Sequence, residues 1–158
     1  MDAGMPPLPP HVPSYMQAAV ACAFEVGPRY GVPVNLVIAV AEVEGARPHT
    51  VKKNSNGSLD VGRMQINSIH FDDLAQYGIT PQHLMEPGCY PVELATWMIA
   101  RHMQGCKADL WTCVARYHSK TPQNNIDYQR KLIPAAARWS QWVRLHFPAA
   151  TEFQKTKE

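Results

Sequence analysis

Among the ionisable side chains of this chain, Glu44 has the setting that a general acid needs. It closes the run VNLVIAVAEVE at residues 34–44. There Leu36, Val37, Val40 and Val43 recur at helical spacing as an apolar stripe, and Glu44, seven residues after Val37 and four after Val40, falls on the same face. A carboxylate on an apolar face is costly to ionise. In the last turn of a helix it also meets the negative end of the macrodipole. Both effects raise its pKa. A glutamic acid that keeps its proton near neutral pH can protonate a leaving oxygen. The plain alternative is a boundary residue paired with Arg47 or a lysine. Glu42, about 200° away round the helix, shares a mixed face with Asn35, Ile38 and Ala39 and suits a solvated or N-terminal-facing ion pair.

Other reactive side chains are less suggestive. The unperturbed pKa of His118, beside Tyr117, suits acid–base work, but a hydrogen-bond donor to a ligand, or simple surface exposure, is the plainer role. Ser119 has no evident acidic partner, so no serine-hydrolase triad is expected. His102 and Cys106 are four apart, a spacing that can hold a metal, yet no second pair accompanies them and no metal site is expected. Arg47, Lys52 and Lys53 form a small basic group, either a solvated loop or a contact for acidic peptides. Trp97, Trp111, Trp139 and Trp142 sit at helical positions and suit a core.

The elements that must hold these residues read as mainly helical. Residues 1–13 contain five of the fourteen prolines and are expected to be an extended, mobile arm. Ser14 is the expected N-cap of a helix over 15–29. Gly31-Val32-Pro33 ends it, and Gly45 closes the next one. The segment NSNG, residues 54–57, predicts a hairpin over 51–61. Short helices are expected at 67–76 and 81–86, followed by helices over 91–104 and 109–118. A terminal helix over 126–147 is expected to kink or break near 133, because Pro134 lies inside it. Residues 14–147 form one domain, and 148–158 read as a frayed tail.

With 158 residues, 46% hydrophobic and 18% charged, the chain has enough apolar material for one packed core. A net charge of +2 is too small to predict a nucleic-acid partner. No run of 18 apolar residues predicts a membrane-spanning helix. The four cysteines, Cys22, Cys89, Cys106 and Cys113, contain no C-x-x-C pair. Two disulfides in an exported protein are expected. Cys106 with Cys113 is the preferred bridge, since a tight helix–turn–helix could supply the spacing, and Cys22 with Cys89 would tie the first helix to the segment before the helix over 91–104. The pairing stays open at this point, with reduced, buried thiols as the alternative. The first residues have neither the charged nor the apolar part of a secretory signal, so an exported, periplasmic protein would have its signal outside this chain.

Several blocks, taken in order, resemble the lytic transglycosylases of the lysozyme-like superfamily. These are Glu44-Gly45, a polar stretch, NGSLDVG at 56–62, MQIN at 64–67, ARYHS at 115–119 and Tyr128. Cys22 with RYGVP, and EPGC around Cys89, are similar to the small exported branch associated with secretion and pilus systems. The resemblance covers about residues 15–139. It implies a mainly α (α+β) lysozyme-like fold with a small β-hairpin beside the active-site cleft. It also implies peptidoglycan as substrate, Glu44 as catalytic acid, and secretion-system or pilus components as partners. Met64 and Gln65 would shape the floor, Tyr117 would position Glu44 or the sugar, and Tyr128 would border the cleft, with Asn54 and His118 also on the substrate side. Gly45 and Arg63 depart from the residues usual at those positions, and His118 stands where many relatives carry Asn. The reaction so implied needs no metal or organic cofactor.

NSNGSLDVGRMQINS also resembles the hairpin of animal-type lysozymes, in which the residue matching Asp60 is the second catalytic carboxylate. A hydrolytic muramidase using Glu44 and Asp60 is therefore one alternative. A non-catalytic glycan-binding assembly factor is another. Asp60 has a local alternative as well, as a cap for the hairpin turn.

Overall fold

The structure, a computed structural model, describes residues 4–45 and 47–148. Its elements are α1 (Met16–Tyr30), α2 (Val34–Glu44), β1 (Val51–Lys53), β2 (Leu59–Val61), β3 (Ile66–Asn67), α3 (Phe71–Ala75), α4 (Pro81–Leu84), α5 (Tyr90–Met103), α6 (Leu110–Ala115) and α7 (Pro122–His146). A single 3-10 turn, Ser68–His70, leads into α3. The fold is mainly helical with one small antiparallel sheet.

α2 is the centre of the molecule. Val34 and every residue from Leu36 to Ala41 are buried, so the apolar stripe expected on one face extends round the helix. A helix that is apolar all round has to be enclosed, and α1, α5 and α7 enclose it. The face carrying Glu42 is therefore not solvated as a whole: Ile38 and Ala39 are fully buried. Asn35 donates to the carbonyl of Ala136. Glu42 accepts from the indole N–H of Trp139 and pairs with Arg138 at 3.3 Å, and His11 lies 3.5 Å away.

α7 begins at Pro122, four residues earlier than expected, with Pro in the first turn, where its missing N–H costs nothing. It runs as one helix through Pro134, so the expected break is absent. Leu132, Ala135, Ala136 and Trp139 are all buried there, and the small alanines let α7 lie closely along α2. Burying these residues is worth more than the roughly 3 kcal/mol that an interior proline costs. The N-cap of α1 is Tyr15, not Ser14. The Tyr15 hydroxyl donates to the carbonyl of Gly45, at the end of α2, at 2.9 Å.

Residues of the proline-rich segment lie against the helices. Val12 is buried, and Met5 and Leu8 pack on the core. The Trp142 indole N–H donates to the carbonyl of Pro7 at 3.2 Å. The tail beyond residue 148 lies outside the described residues.

The expected hairpin gains a third strand. β1 pairs with β2 in the register Val51↔Val61, Lys52↔Asp60, and β2 pairs with β3 in the register Asp60↔Asn67, Val61↔Ile66. Residues 67–76, expected as one helix, are divided among β3, the 3-10 turn and α3. Cys22 is joined to Cys89, Cα atoms 5.3 Å apart, and Cys106 to Cys113, Cα atoms 6.1 Å apart. The first bridge ties α1 to the start of α5 across 67 positions. Closing a loop of that size stabilises the fold by about 4 kcal/mol in the chain-entropy account.

Candidate active site

Glu44 is the last residue of α2, and Gly45 ends the helix in a left-handed conformation at φ 60°. The side chain is thereby presented at the edge of the helical body. The Tyr128 hydroxyl, from α7, donates to Glu44 Oε1 at 2.9 Å. The residue is half-buried, and protein surrounds the carboxyl closely enough that desolvation dominates. Its pKa is pushed from 4.5 to about 7, first by burial and also by the negative charge of Asp60. The Tyr128 hydrogen bond and the cations Lys52 and Lys131 oppose that rise. An acid poised there holds its proton at neutral pH and can also give it up.

Tyr128 thus touches the acid directly, beyond the bordering place that the resemblance implied for it. Its ring is stacked with His118 at 4.6 Å and 4°. That contact covers one face of an otherwise exposed imidazole and helps hold its pKa below the usual value through burial. Substituting Tyr128 by Phe keeps the ring stack and deletes the hydroxyl. The lost bond favours the ionised carboxylate, so its removal raises the Glu44 pKa further. The alkaline limb of the pH–rate profile is expected to move to higher pH, with the rate falling roughly tenfold as the acid loses its orienting partner. A limb that stays where it is in Tyr128→Phe would show that this contact does not tune the acid.

Tyr117 is directed elsewhere. Its buried hydroxyl donates to the carbonyl of Met64 at 2.6 Å, so it is bonded to the turn that carries Met64 and not to Glu44. Met64 is fully buried. Gln65 has φ 50°, and its side-chain amide donates back to the carbonyl of Gly62 at 2.9 Å. Arg63, the departure noted from the sequence, is also buried. One guanidinium nitrogen donates to the carbonyl of Pro87 at 2.5 Å, tying the floor to the segment before α5. Its Nε and Nη1 have no partner, and burial lowers its pKa.

Asp60 lies in the middle of the sheet. Its Oδ1 accepts from Asn67 at 2.9 Å and its Oδ2 from Asn54 at 3.1 Å. Both amides also donate to Ser58 Oγ. The carboxylate is therefore fixed in orientation with one donor on each oxygen. Its charge acts on Glu44, Tyr117 and His118, raising the pKa of each. Asn67 and Lys131 belong to this site although sequence reasoning did not single them out. Asn67 was visible as the last residue of MQIN, and Lys131 as a cation three residues after Tyr128 on the same helix. Of the basic group, Lys52 faces Asp60 across the sheet register, whereas Arg47 lies over the Tyr15 ring at 5.1 Å. The sulfur of Cys106 is taken up in its disulfide.

The family described as "Transglycosylase SLT domain" matches residues 21–132, a span that contains every residue of the site. Invasion protein IagB of Salmonella typhimurium is 27% identical over 135 residues, covering 85% of this chain and 82% of that protein. Protein IpgF of Shigella flexneri is 34% identical over 101 residues, covering 63% and 66%. A peptidoglycan-binding-like protein of Escherichia coli O157:H7 is 28% identical over 127 residues, covering 73% and 75%. The helical body, the small sheet and the raised-pKa glutamate at the end of α2 are accounted for together: the chain belongs to the SLT transglycosylase family, and it is a lytic transglycosylase with the lysozyme-like fold, acting on the glycosidic bonds of peptidoglycan.

Proposed function

We propose that the enzyme cleaves the β-1,4 bond between N-acetylmuramic acid and N-acetylglucosamine without water. Protonated Glu44 gives its proton to the glycosidic oxygen as the bond to C1 of the muramic residue breaks. The N-acetyl group of that residue stabilises the electron-poor C1. Glu44, now a carboxylate, takes the proton of the same sugar's C6 hydroxyl, and O6 closes on C1 to give a 1,6-anhydro ring. The carboxyl ends the cycle protonated, as it began. The observation that carries this reading is the Glu44 carboxyl, held by Tyr128 with its pKa near 7. Asp60, with both oxygens committed to asparagine donors, serves as a fixed charge that keeps Glu44 protonated and, later, faces the developing positive centre.

The products distinguish this from hydrolysis. Mass spectrometry of a digest is expected to show muramic ends lighter by one water than hydrolysed ends and inert to borohydride. A digest containing only reducible ends would instead make the enzyme a muramidase, with Asp60 as its second carboxylate.

The site of action we propose is the periplasm, where two disulfides are chemically at home. There the enzyme would open local gaps in the wall for a secretion or pilus apparatus. Likeness to a protein named for invasion supports that setting.

A further inference from the structure

A second groove, of about 470 Å³, opens where the end of α5 meets the chain that follows α6. Arg101, His102, Arg116 and Lys120 line it, and no carboxylate does. Among the described residues none of these four takes part in an ion pair. The two guanidinium groups are held by neutral contacts instead. Arg101 lies over the Trp97 ring at 4.7 Å, and Arg116 reaches Cys113 Sγ at 3.6 Å. The Cys106–Cys113 bridge joins the two walls, so the cations are brought together by a covalent tie. Burial lowers the pKa of His70 and of His102, and Lys120 lies close enough to lower both further. Asp73 acts on His70 in the opposite direction but does not line the groove.

Like charges gathered in a cleft repel one another and focus a positive potential into it. A ligand that brings negative charge relieves that repulsion, and a planar guanidinium matches a carboxylate well. The volume falls in the range of small-ligand pockets. Position decides the source of the anion. Lys120 is two residues beyond His118, which stacks on Tyr128, and it acts on His70, three residues beyond Asn67, so the chain passes from the candidate site to the groove within a few residues. In peptidoglycan the muramic residues carry peptide stems that end in free carboxylates. Resting on the function proposed above, we infer that this groove binds the carboxylates of a peptide stem on the strand being cleaved, and that Arg101, Arg116 and Lys120 make the enzyme favour stem-bearing strands.

The test compares two substrates, soluble glycan strands carrying stems and the same strands stripped by an amidase. For Arg116→Gln/Lys120→Gln, KM on stem-bearing strands is expected to rise roughly 5–20-fold with kcat within about twofold. On stripped strands the parent and the variant should behave alike. Lys120→Glu, at an exposed position, repeats the measurement with little risk to folding. An equal loss on both substrates overturns the inference. So does unchanged KM on stem-bearing strands, the outcome expected if an acidic protein occupies the groove. A free tripeptide stem, titrated into the parent enzyme, is expected to shift the backbone NMR signals of residues 101–106 and 116–120, and its carboxyl-esterified form is not. Equal shifts with both forms, or none with either, also overturn it. Because that titration does not depend on turnover, a parent enzyme that cleaves neither substrate would count against the transglycosylase reading and leave the groove separately measured.

Discussion

Glu44→Gln is expected to lower the lytic rate by about 10²–10⁴-fold, the range supplied by a positioned general acid–base group. The amide oxygen can still accept the Tyr128 hydroxyl that now meets Oε1, so the site should keep its shape while losing the transferable proton. The accompanying pH behaviour is more diagnostic than the loss of rate. In the parent, the acid must be protonated, so the rate should fall as pH rises through about 7.

Folding stability carries the same signature. The Glu44 pKa is raised from 4.5 to about 7 on folding, so between those values the folded state binds the proton that the unfolded state has released. The favourable contribution is therefore complete below 4.5 and is lost as pH rises through 7. Allowing for solvent at this half-buried residue, this amounts to roughly 1–3 kcal/mol. The Gln variant should lack that decline. Urea titrations at pH 4.5 and pH 8 measure it, and a parent with the same pH dependence as the variant would show that Glu44 is not the perturbed group. Wild-type turbidity clearance by Glu44→Gln would remove the acid from the mechanism altogether.

Gly62→Ala is expected to have the largest effect on the fold, about 3–6 kcal/mol, a sum of backbone strain and overpacking. Gly62 follows β2 with φ 76°, a region that L side chains rarely adopt. A Cβ added there would lie 1.9 Å from the carbonyl oxygen of Leu84 and 2.9 Å from its carbon. Those atoms are backbone at the end of α4 and cannot rotate away. The Gly62 N–H also donates to the carbonyl of Thr50 at 2.7 Å, and its carbonyl receives the Gln65 side chain. Moving it would shift the whole turn through Met64 on which Tyr117 bears. Loss of activity should therefore accompany a lowered thermal midpoint. A variant of unchanged midpoint would mean that α4 yields easily.

The glycines show how far local information reaches. Gly45 was legible as a helix stop because a left-handed residue after an apolar helical run is a local pattern, and the structure has it there. Gly62 stood in the block NGSLDVG, but nothing nearby in sequence reveals that α4 presses on it. Pro134 marks the opposite failure. Its local cost predicted a break, and burial of Ala135, Ala136 and Trp139 against the rest of the core overrode it. Ser14 had the better capping chemistry, and the Tyr15 contact with Gly45, thirty residues away, accompanies a helix start one residue later.

At the site itself, sequence periodicity placed Glu44 on an apolar helix face and gave the direction of its pKa, since spacing along a helix and the dipole at its end are both properties of a few adjacent turns. The order of the blocks carried the family. The tertiary structure alone decided which tyrosine holds the acid. Tyr128 and Glu44 are 84 positions apart, and Tyr117 and Met64 are 53 apart. It likewise decided that Asn54 and Asn67 clamp Asp60 from both sides, and that Lys120 joins two arginines in a groove free of carboxylates. Residue type gives a side chain its capacity to donate, accept or carry charge. Which partner it meets depends on how helices and strands pack, and that packing is set by the burial of the whole core.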